Sequence, residues 1–302
     1  MAVARGDWSN WLAPGAKKAF VKHYPNLPAQ YTQFFKIETS QRAYEDYLFS
    51  SGLGTMPEKP EGQDLALDKP YPLGTARVSH RGYGLGFEIT EEMVEDDLYK
   101  VIVPKSSRFL ADAHRDAEEK KAASVFNLAF TTQLSYDGIS LIDTAHPGIG
   151  ISDISNQHGS NADISLTALQ TAIEHYMLLT DDRGLMLSMD SGQFYVVHHP
   201  NNFWIVREIL SAEFKPFTAN NERNILRDEF SMVPKTYKYL TDTDSWYAFK
   251  PGQQAGPMFF WRRRPRTGKT FDERAGVMMF FVKSRFSVLA PDWRPWYGST
   301  GT

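Results

Sequence analysis

Hydrophobic and polar positions divide this 302-residue chain into an irregular start, an extended stretch, a helical middle and a mixed end. Residues 1–35 carry Trp8, Trp11, Phe20 and Tyr24 with little periodicity. The pattern predicts one short helix there, over 16–23, because Pro25 and Pro28 stop anything longer. A segment so apolar and so weakly patterned is expected to pack on something other than itself. A disordered terminus is the alternative, and the aromatic content fits it less well. Residues 36–88 read as extended, with candidate strands at 43–49 and 75–87. Between them lie Pro57, Pro60, Gly62, Pro70 and Pro72. A proline-rich connection of this length is uncommon inside a compact domain. It predicts a long hairpin projecting from the body, with an internal disordered linker as the competing reading.

The period changes at Thr90, a suitable helix N-cap followed by Glu91 and Glu92 at the positive end of the helix dipole. Val94, Leu98 and Val101 recur at helical spacing, and Pro104 marks a kink or a fresh start. Phe109, Ala113 and Ala117, then Val125, Phe126 and Phe130, predict the apolar stripe of a long helix over 104–131, with Arg115, Glu118, Glu119 and Lys120 facing water. At about 1.5 Å per residue it spans on the order of 40 Å. Past Gly138 the chain is turn-rich. Ser165 then caps a helix bearing Leu166, Leu169, Ile173 and Met177; residues 194–197 form a buried strand, and Asn201 or Asn202 leads a helix with Phe203, Val206 and Leu210. This alternation over 165–250 predicts a compact α/β module. Residues 259–261 and 276–282 are strands rich in large apolar side chains.

Composition narrows the function classes. Hydrophobic residues make up 42% and charged residues 23%, ordinary for a globular protein, whereas aromatics reach 14%. Aromatic rings anchor cores and interfaces alike, so the surplus suits either an aromatic core or a subunit that buries surface on assembly. A net charge of −3 argues against a dedicated nucleic-acid binder, although not against a container for DNA. With no cysteine, disulfides and thiolate metal sites are excluded. No apolar run approaches the ~20 residues of a membrane helix, and the start has no apolar signal core. Synthesis in the cytosol without a removed pro-segment is the expectation.

Candidate chemistry is sparse. His198 and His199 adjoin on a strand-like segment, where alternation sends them to opposite faces, and no spaced carboxylate accompanies them. Asp143 and His146, with Ser140 nearby, have the residue types of an acid–base pair, but Asp-Thr-Ala-His-Pro reads more naturally as a turn capped by Asp143. Gly82, Gly84 and Gly86 lack the spacing of a nucleotide loop, and bends where the hairpin rejoins the body explain them better. Neither catalytic, cofactor-binding nor metal-ligating residues are expected. The dense basic run Arg262, Arg263, Arg264, Arg266, with Lys269, has three readings: genome contact, pairing with a neighbouring subunit, or a solvated loop between two strands. The acidic cluster Glu91, Glu92, Glu95, Asp96 and Asp97 favours the neighbour, because complementary patches on one chain suit head-to-tail contacts.

Two stretches carry a family resemblance: Glu95-Asp96-Asp97-Leu98-Tyr99, within the run from Gly86, and Asp292-Trp293-Arg294 with Tyr297-Gly298-Ser299. In order and position they resemble the major head subunit of Mu-like tailed phages. The resemblance implies an α+β fold, the Johnson fold of tailed-phage capsids (Hong Kong phage type). Its parts are an N-arm at 1–35, an extended loop (β-hairpin) at 36–88, a peripheral domain with a spine helix at 89–150 and 251–302, and an axial domain at 151–250. It implies a structural major capsid protein, not an enzyme, forming hexamers and pentamers of an icosahedral head around double-stranded DNA. Implied partners are further copies of itself, a separate scaffold protein, a portal, decoration or minor capsid proteins, and DNA held non-specifically. Assembly in the host cytoplasm and residence in the virion follow, with no cofactor and no membrane. Lys59 and Lys69 lie in the hairpin, yet nothing in the sequence marks either for the lysine–asparagine cross-link of some relatives. Two rivals stand beside this reading: an encapsulin-type nanocompartment shell, and a hydrolase using Asp143 and His146.

Overall fold

The computed structural model describes residues 8–96, 99–189, 191–216, 222–251 and 256–302. Asp97 and Leu98 of the acidic motif lie outside them, and so do the side chains of Trp8 and Trp11. In chain order the helices and strands begin with α1 (Trp8–His23), β1 (Lys36–Thr39), β2 (Tyr44–Ser50), β3 (Pro72–Ser79) and β4 (Arg81–Thr90). Next come α2 (Glu91–Glu95), α3 (Tyr99–Asn127), α4 (Leu166–Leu178), β5 (Gln193–His198), α5 (Phe203–Ser211) and α6 (Ile225–Glu229). The series closes with β6 (Ser231–Thr236), β7 (Trp246–Phe249), β8 (Met258–Asp272), β9 (Val277–Leu289) and β10 (Trp296–Ser299). They group into two compact units, one of residues 1–44, 79–122 and 259–288, the other of 45–78, 123–258 and 289–302.

The first unit is a four-stranded sheet in the order β1-β8-β9-β4. Along β9, Met278, Phe280, Val282, Ser284 and Phe286 are buried in strict alternation, the period-2 signature of a sheet with one covered face. Ala16 and Phe20 of α1 and Val103, Leu110 and Ala111 of α3 pack against Met278, Phe280 and Val282. The N-terminal helix is longer than the predicted 16–23, and as expected it packs on other parts of the chain, α3 and β9 of its own unit. The long helix also starts earlier, with Pro104 inside it. Its buried face is Val103, Ser107, Leu110, Ala111, His114, Glu118 and Ala122, while Phe109 and Val101 are exposed. The apolar stripe predicted through Phe109 is thus misplaced, because polar Ser107, His114 and Glu118 occupy the true buried face.

Glu118 and Glu119, expected to face water, are 0% and 1% exposed. Residues 24–31 lie over them. Glu118 accepts from the hydroxyls of Tyr24 and Tyr31 and from Arg115 Nη1. His114 Nδ1 stands 2.7 Å from its other oxygen. Glu119 accepts the backbone N–H groups of Gln30 and Tyr31. Two buried carboxylates are tolerable only when hydrogen-bonded and paired, and here residues 24–31 supply donors alongside Arg115. Burial and the Glu118 charge together push the Tyr24 and Tyr31 hydroxyls well above the usual tyrosine range, so both stay protonated donors.

The second unit has a sheet in the order β10-β7-β5-β6, in which β5 runs parallel to β6 and antiparallel to β7. Ser165 caps α4 as predicted, accepting from Ala168 N at 3.1 Å, and Leu169, Ile173 and Tyr176 are buried. The chain end closes this sheet: β10 pairs with β7 from Trp296 opposite Phe249 to Ser299 opposite Trp246. The Trp296 ring stacks on Phe249 at 4.8 Å and meets the edge of Phe126, near the end of α3, at 5.5 Å. The tail thus reaches Phe126 of the long helix as an edge strand of the second sheet. A separate two-stranded sheet, β2 with β3, ends in the 51–71 connection. The strand predicted over 75–87 is in fact two, β3 and β4, which join different sheets.

Candidate functional site

The residues that suggested catalysis are held in structural roles. Asp143 Oδ1 accepts the N–H groups of Thr144 and Ala145, a turn-capping arrangement. Ser140 Oγ donates to the Thr131 carbonyl. His146 is fully buried and pairs not with Asp143 but with Asp137, Nδ1 to Oδ2 at 2.7 Å. Its Nε2 lies 3.2 Å from Asn156 Oδ1, and its ring stacks on Trp293 at 4.2 Å. Asn156 is itself fixed, taking the Asp143 N–H and donating to the carbonyls of Leu141 and Trp293. Both nitrogens of His146 are occupied, so neither is placed to activate a hydroxyl. We expect His146→Ala to leave Asp137 buried without its partner and to lower the stability of the unassembled subunit by about 3–5 kcal/mol. Denaturant melting of the purified chain measures it, and an unchanged midpoint would remove the pair from the fold's support.

His198 Nδ1 donates to the His199 carbonyl, while His199 Nδ1 accepts from Asn201 N–H. Each ring thus serves the turn that follows β5. Gly82, Gly84 and Gly86 make no bend. They alternate along an unbroken ten-residue pairing of β4 with β9, opposite Arg285, Lys283 and Phe281. A Cβ on Gly86 would come within 2.8 Å of the Phe280 carbonyl and 3.1 Å of Phe281 Cβ, so glycine there makes room for the neighbouring strand. The basic run is not a loop: Arg262, Arg263, Arg264 and Arg266 all stand within β8.

What the molecule offers for function is surface. The 51–71 connection carries Met56 at 91% and Leu67 at 94% exposure, with Leu53 and Leu65 also exposed. Isolated exposed apolar residues are ordinary, but several on one projecting segment mark a contact to be made. Its base is held firmly. Ser51 N–H donates to the Tyr71 carbonyl at 2.8 Å, and Arg183 bridges Asp68 at 2.6 Å and the Gly52 carbonyl at 3.0 Å. Hydrogen bonds from Arg183 and from the backbone of Gly54 and Lys69 hold the Asp68 carboxyl down at about 2. Sequence reasoning found the long exposed connection from its prolines but missed the Arg183 clamp, since the two lie far apart in the chain and neither bears a motif.

A phage capsid protein family matches residues 75–298, most of the chain, including the acidic stretch and the tail stretch as far as Gly298. The chain belongs to the phage capsid protein family. Solved structures with the same fold include the capsid of an empty GTA particle, at 13% identity and a TM-score of 0.55, covering 89% of this chain and 88% of that one. The procapsid of bacteriophage JBD30 matches at 16% identity and a TM-score of 0.50, covering 96% and 75%. A virus-like particle from Pyrococcus furiosus matches at 9% identity and a TM-score of 0.51, covering 93% and 96%. No curated protein sequence matches. This phage capsid protein is accordingly a structural shell subunit with the α+β tailed-phage capsid fold. Among its described residues no helix is long and apolar enough to cross a membrane.

Proposed function

We propose that the chain is the major capsid subunit of a Mu-like tailed phage, assembling into hexamers and pentamers of an icosahedral head that encloses double-stranded DNA. The observation that carries this reading is the family match across 75–298, which includes the acidic run and the tail stretch as far as Gly298. The projecting loop supports it, because a subunit with exposed apolar reach gains contact area that flat faces do not give. In this reading residues 1–35 serve as the N-arm and the projection within 36–88 as the extended loop. The α3 helix is the spine of a peripheral domain built on 89–150 and 251–302, and 151–250 form the axial domain. Further copies of the chain, a scaffold, a portal and decoration or minor proteins are its partners, with the genome held non-specifically, and assembly takes place in the host cytoplasm.

Negative-stain microscopy of the purified protein, expressed with and without its phage's scaffold, tests the proposal. Closed shells are expected; a chain that stays monomeric under every condition would overturn it. The likeness to a virus-like particle from an archaeon keeps a nanocompartment as the second reading. Shells enclosing protein cargo in place of duplex DNA would decide for it.

A further inference from the structure

The first unit separates its charge along one ladder. At one end, where β9 begins, the Glu91 N–H donates to the Gly276 carbonyl at 3.0 Å, which fixes α2 beside the turn between β8 and β9. Glu91, Glu92, Glu95 and Asp96 gather there, joined by Glu273 in the turn, with Arg274 as a basic neighbour. Toward the other end, Arg266 stands six residues and Arg262 ten residues before Asp272 on β8. That places the arginines roughly 20 to 33 Å from the turn at about 3.3 Å per residue. Lys283 and Arg285 of β9 and Arg81 of β4 add to the basic end.

Neither cluster is neutralised at home. Among the described residues no ion pair joins a carboxylate to Arg262, Arg263, Arg264 or Arg266, and none joins a base to Glu91, Glu92, Glu95 or Asp96. Glu92, Glu95, Asp96, Arg263, Arg264 and Arg266 are exposed. Four positive charges without an ion-pair partner thus gather toward one end of the sheet, Arg262, Arg264 and Arg266 on one face of β8 and Arg263 on the other, and four negative charges gather toward the other end. We propose that these ends are the two halves of one subunit–subunit contact, in which the arginine segment of β8 on one copy seats against the α2 acidic helix of the next. The inference rests on the reading of the chain as a self-assembling subunit and names the side chains that orient the copies. A patch and its complement on the same molecule generate a heterologous, head-to-tail contact, the type that closes into rings. A polyanion such as the genome would meet the carboxylates of the same unit as well as its arginines, and so fits this two-signed surface less well than a second copy does.

Charge exchange tests it. Arg264→Glu with Arg266→Glu in one variant, and Glu92→Arg with Glu95→Arg in another, each place like charges across the contact. Each is expected to lower shell yield about tenfold or more, since like-charge juxtaposition across an interface costs several kcal/mol. The chain carrying all four substitutions regains complementarity and is expected to recover most of the yield. Melting of the unassembled variants, measured alongside, separates a contact defect from misfolding. A fourfold variant that melts like wild type yet assembles no better than either pair overturns the proposal. So does normal assembly of the arginine variant with loss of retained duplex DNA, which would assign the run to the genome. Wild-type protein that forms no shells at all would instead count against the assembly reading itself.

Discussion

A chain ending at Leu289 loses the cooperative melting of its second unit. Truncation of 290–302 removes β10 and leaves β7 as an unpaired edge beside an opened aromatic core. Trp293, Trp296 and Tyr297 are 0%, 0% and 3% exposed, so this short tail carries an outsized share of the core. Removing a buried large aromatic costs about 3–5 kcal/mol, and a whole domain commonly has only about 5–15 kcal/mol to lose. The polar losses add to this. Asp182 loses Arg294, Asn156 loses the Trp293 carbonyl, and Tyr136 loses the indole N–H that it accepts from Trp293. Near-ultraviolet circular dichroism and thermal melting of the unassembled truncation give the readout. A midpoint equal to that of the full chain would mean that the tail docks on another copy, not where it lies here.

Deleting 54–70 has the opposite profile: the subunit folds and melts as before, and closed shells are absent. The deletion joins Leu53 to Tyr71 and leaves Gly52 and Leu53 between Ser51 and Tyr71, which already share the Ser51 N–H to Tyr71 carbonyl bond. Two residues with glycine first is the favoured composition of a II′ hairpin turn, so β2 and β3 should still pair. What disappears is the exposed apolar set Met56, Leu65 and Leu67. Burying each such side chain on a neighbour contributes about 1.5–3 kcal/mol, and the effect multiplies over every copy in a shell. Sedimentation and microscopy report assembly, and circular dichroism reports the fold. Outright unfolding would place the segment in the core, while intact shells would make it dispensable.

Local signals in the sequence predicted local structure well. Thr90 and Ser165 cap the helices they were expected to cap. The exposed 51–71 connection followed from its prolines, and the phage capsid family from two short stretches. What failed depended on distant partners. Glu118 and Glu119 read as solvated because the donors that make their burial tolerable stand roughly ninety residues earlier. The arginines of β8 hid a strand, since four bases in five positions erase the alternation that β9 keeps. The role of His146 was equally hidden, because Asp137, Asn156 and Trp293 come from three separate loops and only their convergence shows that the ring is a joint.

The place of β10 has a consequence for synthesis. The second unit draws on residues 45–78, on the 123–258 stretch and on the last strand, so its sheet cannot close until residue 299 has left the ribosome. The first unit needs nothing beyond residue 288. A nascent chain therefore carries one finished unit and one still lacking an edge strand and two tryptophan rings.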